Sequence, residues 1–236
     1  MRGNGRVRIV TIVSIGVEQG APSGGSTAWS RVFAALYDPF LWVGERVGLR
    51  KHRKELVGLA RGCTVEIGSG TGLNLPYYPS DLTQLVLLEP VREMRSRLAK
   101  KLSRSGRLAG LIDAPAERLP IADGCVDTVV STFVLCTLDD PDLALQEIRR
   151  VLRPDGQLLF IEHVRAGSPT LARWQDRLAI PWRNFACGCR CNRATAELIV
   201  TCGFELEQIC DASWTAMPPI VRPLIIGCAK KGECDG

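Results

Sequence analysis

The chain has 236 residues, 46 % of them hydrophobic and 23 % charged, with a formal net charge of +5. That length and composition suit one globular domain with a sizeable core, and exclude a disordered or fibrous chain. The charge is too small to argue for a nucleic-acid partner by itself.

In chain order, "MRGNGRVRIVTIVSIGVEQGAPSGGS" comes first. Its apolar run holds nine residues without a charge, where about 20 are needed to span a bilayer. Residues 1–27 are therefore expected to be a disordered tail, with a weak membrane-directing segment as the alternative that the basic start suggests, and residues 28–236 the folded domain. From Trp29 to Ala60 apolar residues recur at three- and four-residue spacing, with a helix break at Asp38-Pro39. "CTVEIGSGTG" is a short apolar strand ending in a glycine-rich turn, and "QLVLLEP" is a second strand. "VREMRSRLAKKLSRSG" is an amphipathic helix closed by Gly106. "RLAGLID" is expected to be the third strand and "CVDTVVSTFVLC" the fourth. The next helix opens on Asp140 and stops at Pro154-Asp155-Gly156. "QLLFIEHV" is the fifth strand. "NRATAELIVTCG" is a helix with Asn192 as its expected N-cap, and "FELEQIC" and "PLIIGCAKK" are two final strands. Strands alternating with helices predict an α/β fold: a Rossmann-like, doubly wound, mostly parallel sheet with helices on both faces.

In such a sheet, ligands bind beyond the carboxyl ends of the strands, near the switch in strand order. The first strand ends in Glu66-Ile67-Gly68-Ser69-Gly70-Thr71-Gly72. Gly68 and Gly70 allow backbone angles other residues avoid and let a ligand approach the main chain. Glu89 ends the second strand, 17 residues after Gly72, where a carboxylate can accept from both ribose hydroxyls. Dinucleotides and S-adenosylmethionine both fit this layout. The dinucleotide fingerprint is G-x-G-x-x-G, whereas Leu73 stands here at its third glycine. Glu66 beside the turn also suits a cationic ligand.

The pieces "VEIGSGTGLN", "LVLLEP", "DAPAERLPIADGCVDTVVS" and "EIRRVLRPDGQLLFIEH" resemble, in order and spacing, the class I S-adenosylmethionine-dependent methyltransferases. The resemblance implies a seven-stranded sheet with an N-terminal helical cap and a core over residues 60–165. It also implies an acceptor-side insert over 166–192 and a C-terminal helix with two strands over 192–231. It implies that Gly68, Gly70 and Gly72 wrap the amino-acid end of the cofactor, that Glu89 holds the ribose, and that Met94 flanks the adenosine. Asp113 and Ala114 then sit by the adenine and Thr132 lines the methyl-bearing side. Glu66, Ser69, Thr71 and Pro90 complete the expected cofactor-binding set. More loosely, "STFVLCTLDDPDLALQEIRRVLRPDGQLLFIEHV" and the C-terminal segment resemble the methyltransferase-like thiol S-methyltransferase group. Quinone and sterol C-methyltransferases share "AERLP" and "RVLRPDG". The thiol group's eukaryotic members carry a full N-terminal membrane anchor, so at most peripheral membrane contact is expected here, in a cytoplasmic setting.

The expected acceptor is a small, apolar molecule, with a thiol as the leading reading. A quinone or phenol acceptor and a non-catalytic cofactor-binding module are the alternatives. His163, at the end of the fifth strand, is the candidate base; it could also simply bond a neighbouring loop. His52, in "LRKHRKE", reads as part of a solvated helix face. Trp29, Phe33, Tyr37, Phe40 and Trp42, with Trp174, Trp182 and Phe185, are candidates for an apolar acceptor pocket. The basic helix "VREMRSRLAKKLSRSGR" has no interleaved aromatics, so nucleic acid is not an expected partner.

The chain holds ten cysteines, three of them within five positions: Cys187, Cys189 and Cys191. A closed zinc site wants four ligands and a redox dithiol the C-x-x-C spacing. Neither is present, so no metal is expected, and these thiols read as structural, at the rim of the acceptor pocket.

Overall fold

The computed structural model describes residues 44–232. The expected tail and the aromatic residues Trp29 to Trp42 lie outside the described residues. A π-helical turn, Glu45–Leu49, leads into helix α1, Arg50–Val57. Strand β1 is Cys63–Ile67, β2 is Gln84–Leu88, α2 is Arg92–Ser105 and β3 is Gly110–Ile112. Then follow β4, Val126–Thr132, α3, Pro141–Val151, and β5, Leu152–His163. Helix α4 is Pro169–Phe185, α5 is Thr195–Thr201, β6 is Phe204–Ser213 and β7 is Pro223–Lys231.

These strands form one seven-stranded sheet in the order β3-β2-β1-β4-β5-β7-β6. All neighbours are parallel except β7, which runs antiparallel to β5 and β6. The expected doubly wound, mostly parallel sheet is therefore the observed one. Successive strand residues point to opposite faces, and both faces are buried. Val65, Ile67, Val86, Leu88 and Phe160 pack with Ala144, Leu145 and Ile148 of α3. Leu85, Leu87, Val130 and Leu159 pack with Leu56 and Val57 of α1 and Leu98 and Leu102 of α2. Each such fully buried Leu or Ile stabilises the fold by about 1.5–3 kcal/mol. This is why the strands read as continuous apolar runs.

Several element ends follow local chemistry. Asp140 caps α3 by accepting from Leu143 N at 3.1 Å, with Pro141 at the first helical position. Gly106 ends α2 with φ 69°. Other ends depart from the sequence reading. Helix α3 stops at Val151, so the Pro154 turn belongs to the lead-in of β5. Strand β3 keeps only Gly110–Ile112, because Arg107 turns away to donate to the carbonyls of Tyr78 and Pro79. Strand β4 ends at Thr132, since Phe133 adopts φ 59° and takes the chain out of the sheet. Asn192 does not cap α5, which begins at Thr195. Its side chain instead donates to Asp176 Oδ1 at 2.9 Å, a carboxylate already charged by Arg165.

Candidate active site

The switch in strand order falls at β1 and β4, and the loops at their carboxyl ends open into a cleft of about 260 Å³. One wall is the glycine loop after β1. Gly68, Gly70 and Gly72 have φ of 53°, 54° and 77°, backbone that L side chains rarely adopt. A Cβ on Gly68 would lie 2.6 Å from Val134 Cγ2, so a side chain there would push the β1 and β4 loops apart. A Cβ on Gly70 would meet only Gly68 O, at 3.9 Å, because that face looks into the cleft. Gly70 N donates to Glu89 Oε2 at 2.7 Å and Val91 N to Glu89 Oε1 at 2.7 Å. Each carboxylate oxygen still has a lone pair to offer.

A smaller recess adjoins this end, lined by Arg53, Glu66, Ser69, Thr71, Asn74 and Thr132 among others. Asn74 Nδ2 donates to Glu66 Oε1 at 2.7 Å and to Thr132 Oγ1 at 3.0 Å. Arg53, buried and ion-paired with Glu45 at 2.9 Å, donates to Asn74 Oδ1. Burial pushes the Glu66 carboxyl up to about 7, with the Tyr78 hydroxyl, Asn74 and Arg53 pulling the other way.

The other end of the cleft is apolar. Phe133, His163 and Trp214 form a cluster whose ring centres lie 4.6, 5.2 and 5.9 Å apart. Trp182 and Phe185 of α4 are in ring contact at 5.6 Å and line the same end. The loop carrying Phe133 is held from beneath by Glu162, which is fully buried. Its carboxylate accepts from Ser131 Oγ at 2.7 Å and from the N–H groups of Val134, Leu135 and Cys136 at 3.0–3.1 Å. Burial pushes the His163 imidazole down to about 4, so the ring is neutral near pH 7; the carbonyls of Val221 and Pro223 act in the opposite direction.

Of the residues singled out from sequence, Gly68, Gly70, Glu89, Pro90, Met94, Thr132 and His163 line the cleft. Glu66, Ser69 and Thr71 line the recess. Gly72 lines neither: a Cβ there would lie 2.6 Å from Leu98, so it sets the packing of the loop on α2. Asp113 pairs with Arg95 at 2.6 Å and Ala114 is buried in the core, while Pro115, Ala116 and Glu117 line that side of the cleft instead. Cys187 and Cys189 line the cleft; Cys191 is buried away from it. No cluster of metal-ligating residues occurs among the described residues.

Arg53, Asn74, Phe133, Glu162 and Trp214 went unrecognised as site residues in the sequence. Arg53 lay inside a segment read as a solvated face. Asn74 and Trp214 sit in loops with no periodic pattern. Phe133 and Glu162 read as ordinary members of apolar strands.

A family model for the methyltransferase domain matches residues 65–160. The chain is 31 % identical to human thiol S-methyltransferase TMT1B over 191 residues, 76 % of each chain. It is 34 % identical to the ubiquinone/menaquinone biosynthesis C-methyltransferase UbiE of Acidiphilium cryptum over 155 residues, 62 % of this chain and 54 % of that one. Among solved structures, an S-adenosylmethionine-dependent methyltransferase from Thermotoga maritima superposes with a TM-score of 0.63 at 22 % identity, covering 86 % of this chain and 98 % of that one. The chain belongs to the class I S-adenosylmethionine-dependent methyltransferases. Within that class it is similar over most of its length to the thiol S-methyltransferases. Its cofactor is S-adenosylmethionine, and the site fits that molecule. Gly70 leaves open the volume a side chain would fill, Glu89 presents acceptors beside it, and Glu66 lines the adjoining recess.

Proposed function

We propose that this protein transfers a methyl group from S-adenosylmethionine to the thiol of a small apolar molecule. The observation that carries the choice of acceptor is the combination of an uncharged acceptor end with a poor base. The residues that line this end, from Phe133 to Leu138 and with His163, Trp182, Phe185, Trp214 and Met217 among them, include no carboxylate, lysine or arginine. Its histidine, held at about 4, is too weak a base to deprotonate a phenol, whose pKa is about 10. A thiol with pKa about 8.5 is roughly 7 % thiolate at pH 7.4 without help. The similarity to human TMT1B, a thiol S-methyltransferase by name, supports the same reading.

In this reading Gly68, Ser69, Gly70, Thr71 and Glu66 hold the amino-acid end of the cofactor. Glu89 and Pro90 hold the ribose, and Met94, with Pro115, Ala116 and Glu117, flanks the adenosine. Thr132 borders the methyl-bearing side. Bound S-adenosylmethionine supplies a methyl activated by its sulfonium. The protein contributes position and dryness: Phe133, Trp182, Phe185 and Trp214 exclude water and align the acceptor. His163, with its proton on the nitrogen facing Val221 and Pro223, offers its other nitrogen to the acceptor's S–H. The thiol proton leaves to solvent as the sulfur takes the methyl.

A panel of thiols, phenols and quinols with methyl-labelled donor tests this. Turnover of alkyl or aryl thiols with none of phenols is expected. Turnover of quinols or phenols without thiols would overturn it in favour of C- or O-methylation. Tight S-adenosylhomocysteine binding with no turnover of any acceptor would favour a non-catalytic module.

A further inference from the structure

The cleft contains a pair of thiols that methyl transfer does not use. Cys136 lies in the loop after β4 and Cys189 in the loop after α4, and both line the acceptor end. The two loops touch on either side of the pair. Arg190 N donates to Cys136 O at 2.8 Å. Gly188, at φ 100°, comes so close that a Cβ on it would lie 2.7 Å from Thr137 O. Between these two contacts Cys136 and Cys189 lie on adjacent stretches of the two loops and line the same end of the cleft. A disulfide needs its two backbones this near, with side chains turned toward one another. Cys187 is exposed and Cys191 is buried outside the cleft, whereas Cys136 and Cys189 are both buried and both line it.

We propose that Cys136 and Cys189 are a modification site: a dithiol that hydrogen peroxide, entering through the cleft, converts to a disulfide across the acceptor end. The order of attack follows the environment. Cys189 is held below the ordinary thiol value by the neighbouring Cys136 thiol; Cys136 is pushed up by Cys189, by burial and by Glu162. The Cys189 thiolate attacks peroxide, the O–O bond breaks, hydroxide leaves and a sulfenic acid remains. The Cys136 sulfur then attacks that sulfur and gives up its proton, and the S–S bond forms as water leaves. Two thiols and one peroxide become one disulfide and two waters, with two electrons passing to peroxide. The cross-link fastens the Phe133 loop to the end of α4 and narrows the acceptor end, while the Gly70–Glu89 end is untouched.

The effect on turnover rests on the methyltransferase reading of the cleft; the cross-link does not. Purified protein is treated with peroxide, free thiols are blocked, and non-reduced peptides are mapped. A mass loss of about 2 Da with a Cys136–Cys189 peptide, reversed by reductant, is expected. Thiol-probe turnover should fall to under about a tenth, with S-adenosylhomocysteine affinity within about twofold. In Cys136→Ser, which cannot resolve, dimedone should label Cys189. No cross-link, a cross-link involving Cys187 or Cys191 instead, or an unchanged rate in the cross-linked protein would overturn the proposal. Mapping the wild type decides even where a variant folds poorly. If the reduced enzyme turns over no thiol, the acceptor assignment fails while the mapping still settles the site.

Discussion

Gly70 N donates to Glu89 Oε2 at 2.7 Å, so the ends of β1 and β2 are fastened to one another by the carboxylate assigned to the ribose. With Val91 N on its other oxygen, Glu89 is already oriented before any ligand arrives. Glu89→Gln keeps one acceptor and turns an N–H₂ toward one of these donors. S-adenosylhomocysteine affinity, measured by calorimetry, should fall by about 10- to 100-fold, with a small drop in thermal stability. Unchanged affinity would remove Glu89 from the ribose site.

The proposed place of Glu66 at the amino-acid end of the cofactor makes binding depend on pH. Its folded pKa of about 7 lies above its ordinary value of 4.5, so the folded state holds a proton there that the unfolded state releases. Stability from this group therefore declines as pH rises from 4.5 to 7, by about 3 kcal/mol in all, and stays lower above that. Glu66→Gln, which can still accept from Asn74, should melt higher than wild type at pH 8, with the gap closing toward pH 5. The cofactor's ammonium favours the ionised carboxylate, so wild-type affinity should tighten from pH 6 to pH 8. In Glu66→Gln that trend should vanish and affinity should fall. A wild-type affinity flat across this range would contradict the assignment.

His163 is neutral above pH 5. The kcat/KM profile for a thiol should therefore lack an inflection near 6.5 and rise toward the acceptor's own pKa, about 8.5. His163→Phe fills the ring position beside Phe133 and Trp214 but offers no nitrogen. KM should rise severalfold with the profile's shape unchanged. Loss of the rise would mean that His163 carries the proton.

What was legible in the sequence was what local patterning and backbone chemistry encode. Cys63, Val65 and Ile67 in "CTVEI" made β1, Asp140-Pro141 opened α3, and Gly106 closed α2. Each is decided by residues within a few positions of one another. Asn192 is the local exception: a plausible cap residue lost to Asp176, 16 positions away.

The apolar end of the cleft was decided by tertiary structure. Phe133 follows β4, His163 ends β5 and Trp214 follows β6, and they share one environment only once β7 is inserted between β5 and β6. Glu162 reads in the sequence as one more residue of β5, yet the three N–H groups of the turn after β4 make it the anchor of the Phe133 loop. The pull on the Glu66 and His163 protons is likewise a product of burial, which no spacing of residues expresses. The sequence by itself determined the class of fold and the cofactor, because both reside in short contiguous segments. Only the folded chain decided the acceptor cleft, because desolvation and ring contact depend on which distant residues meet.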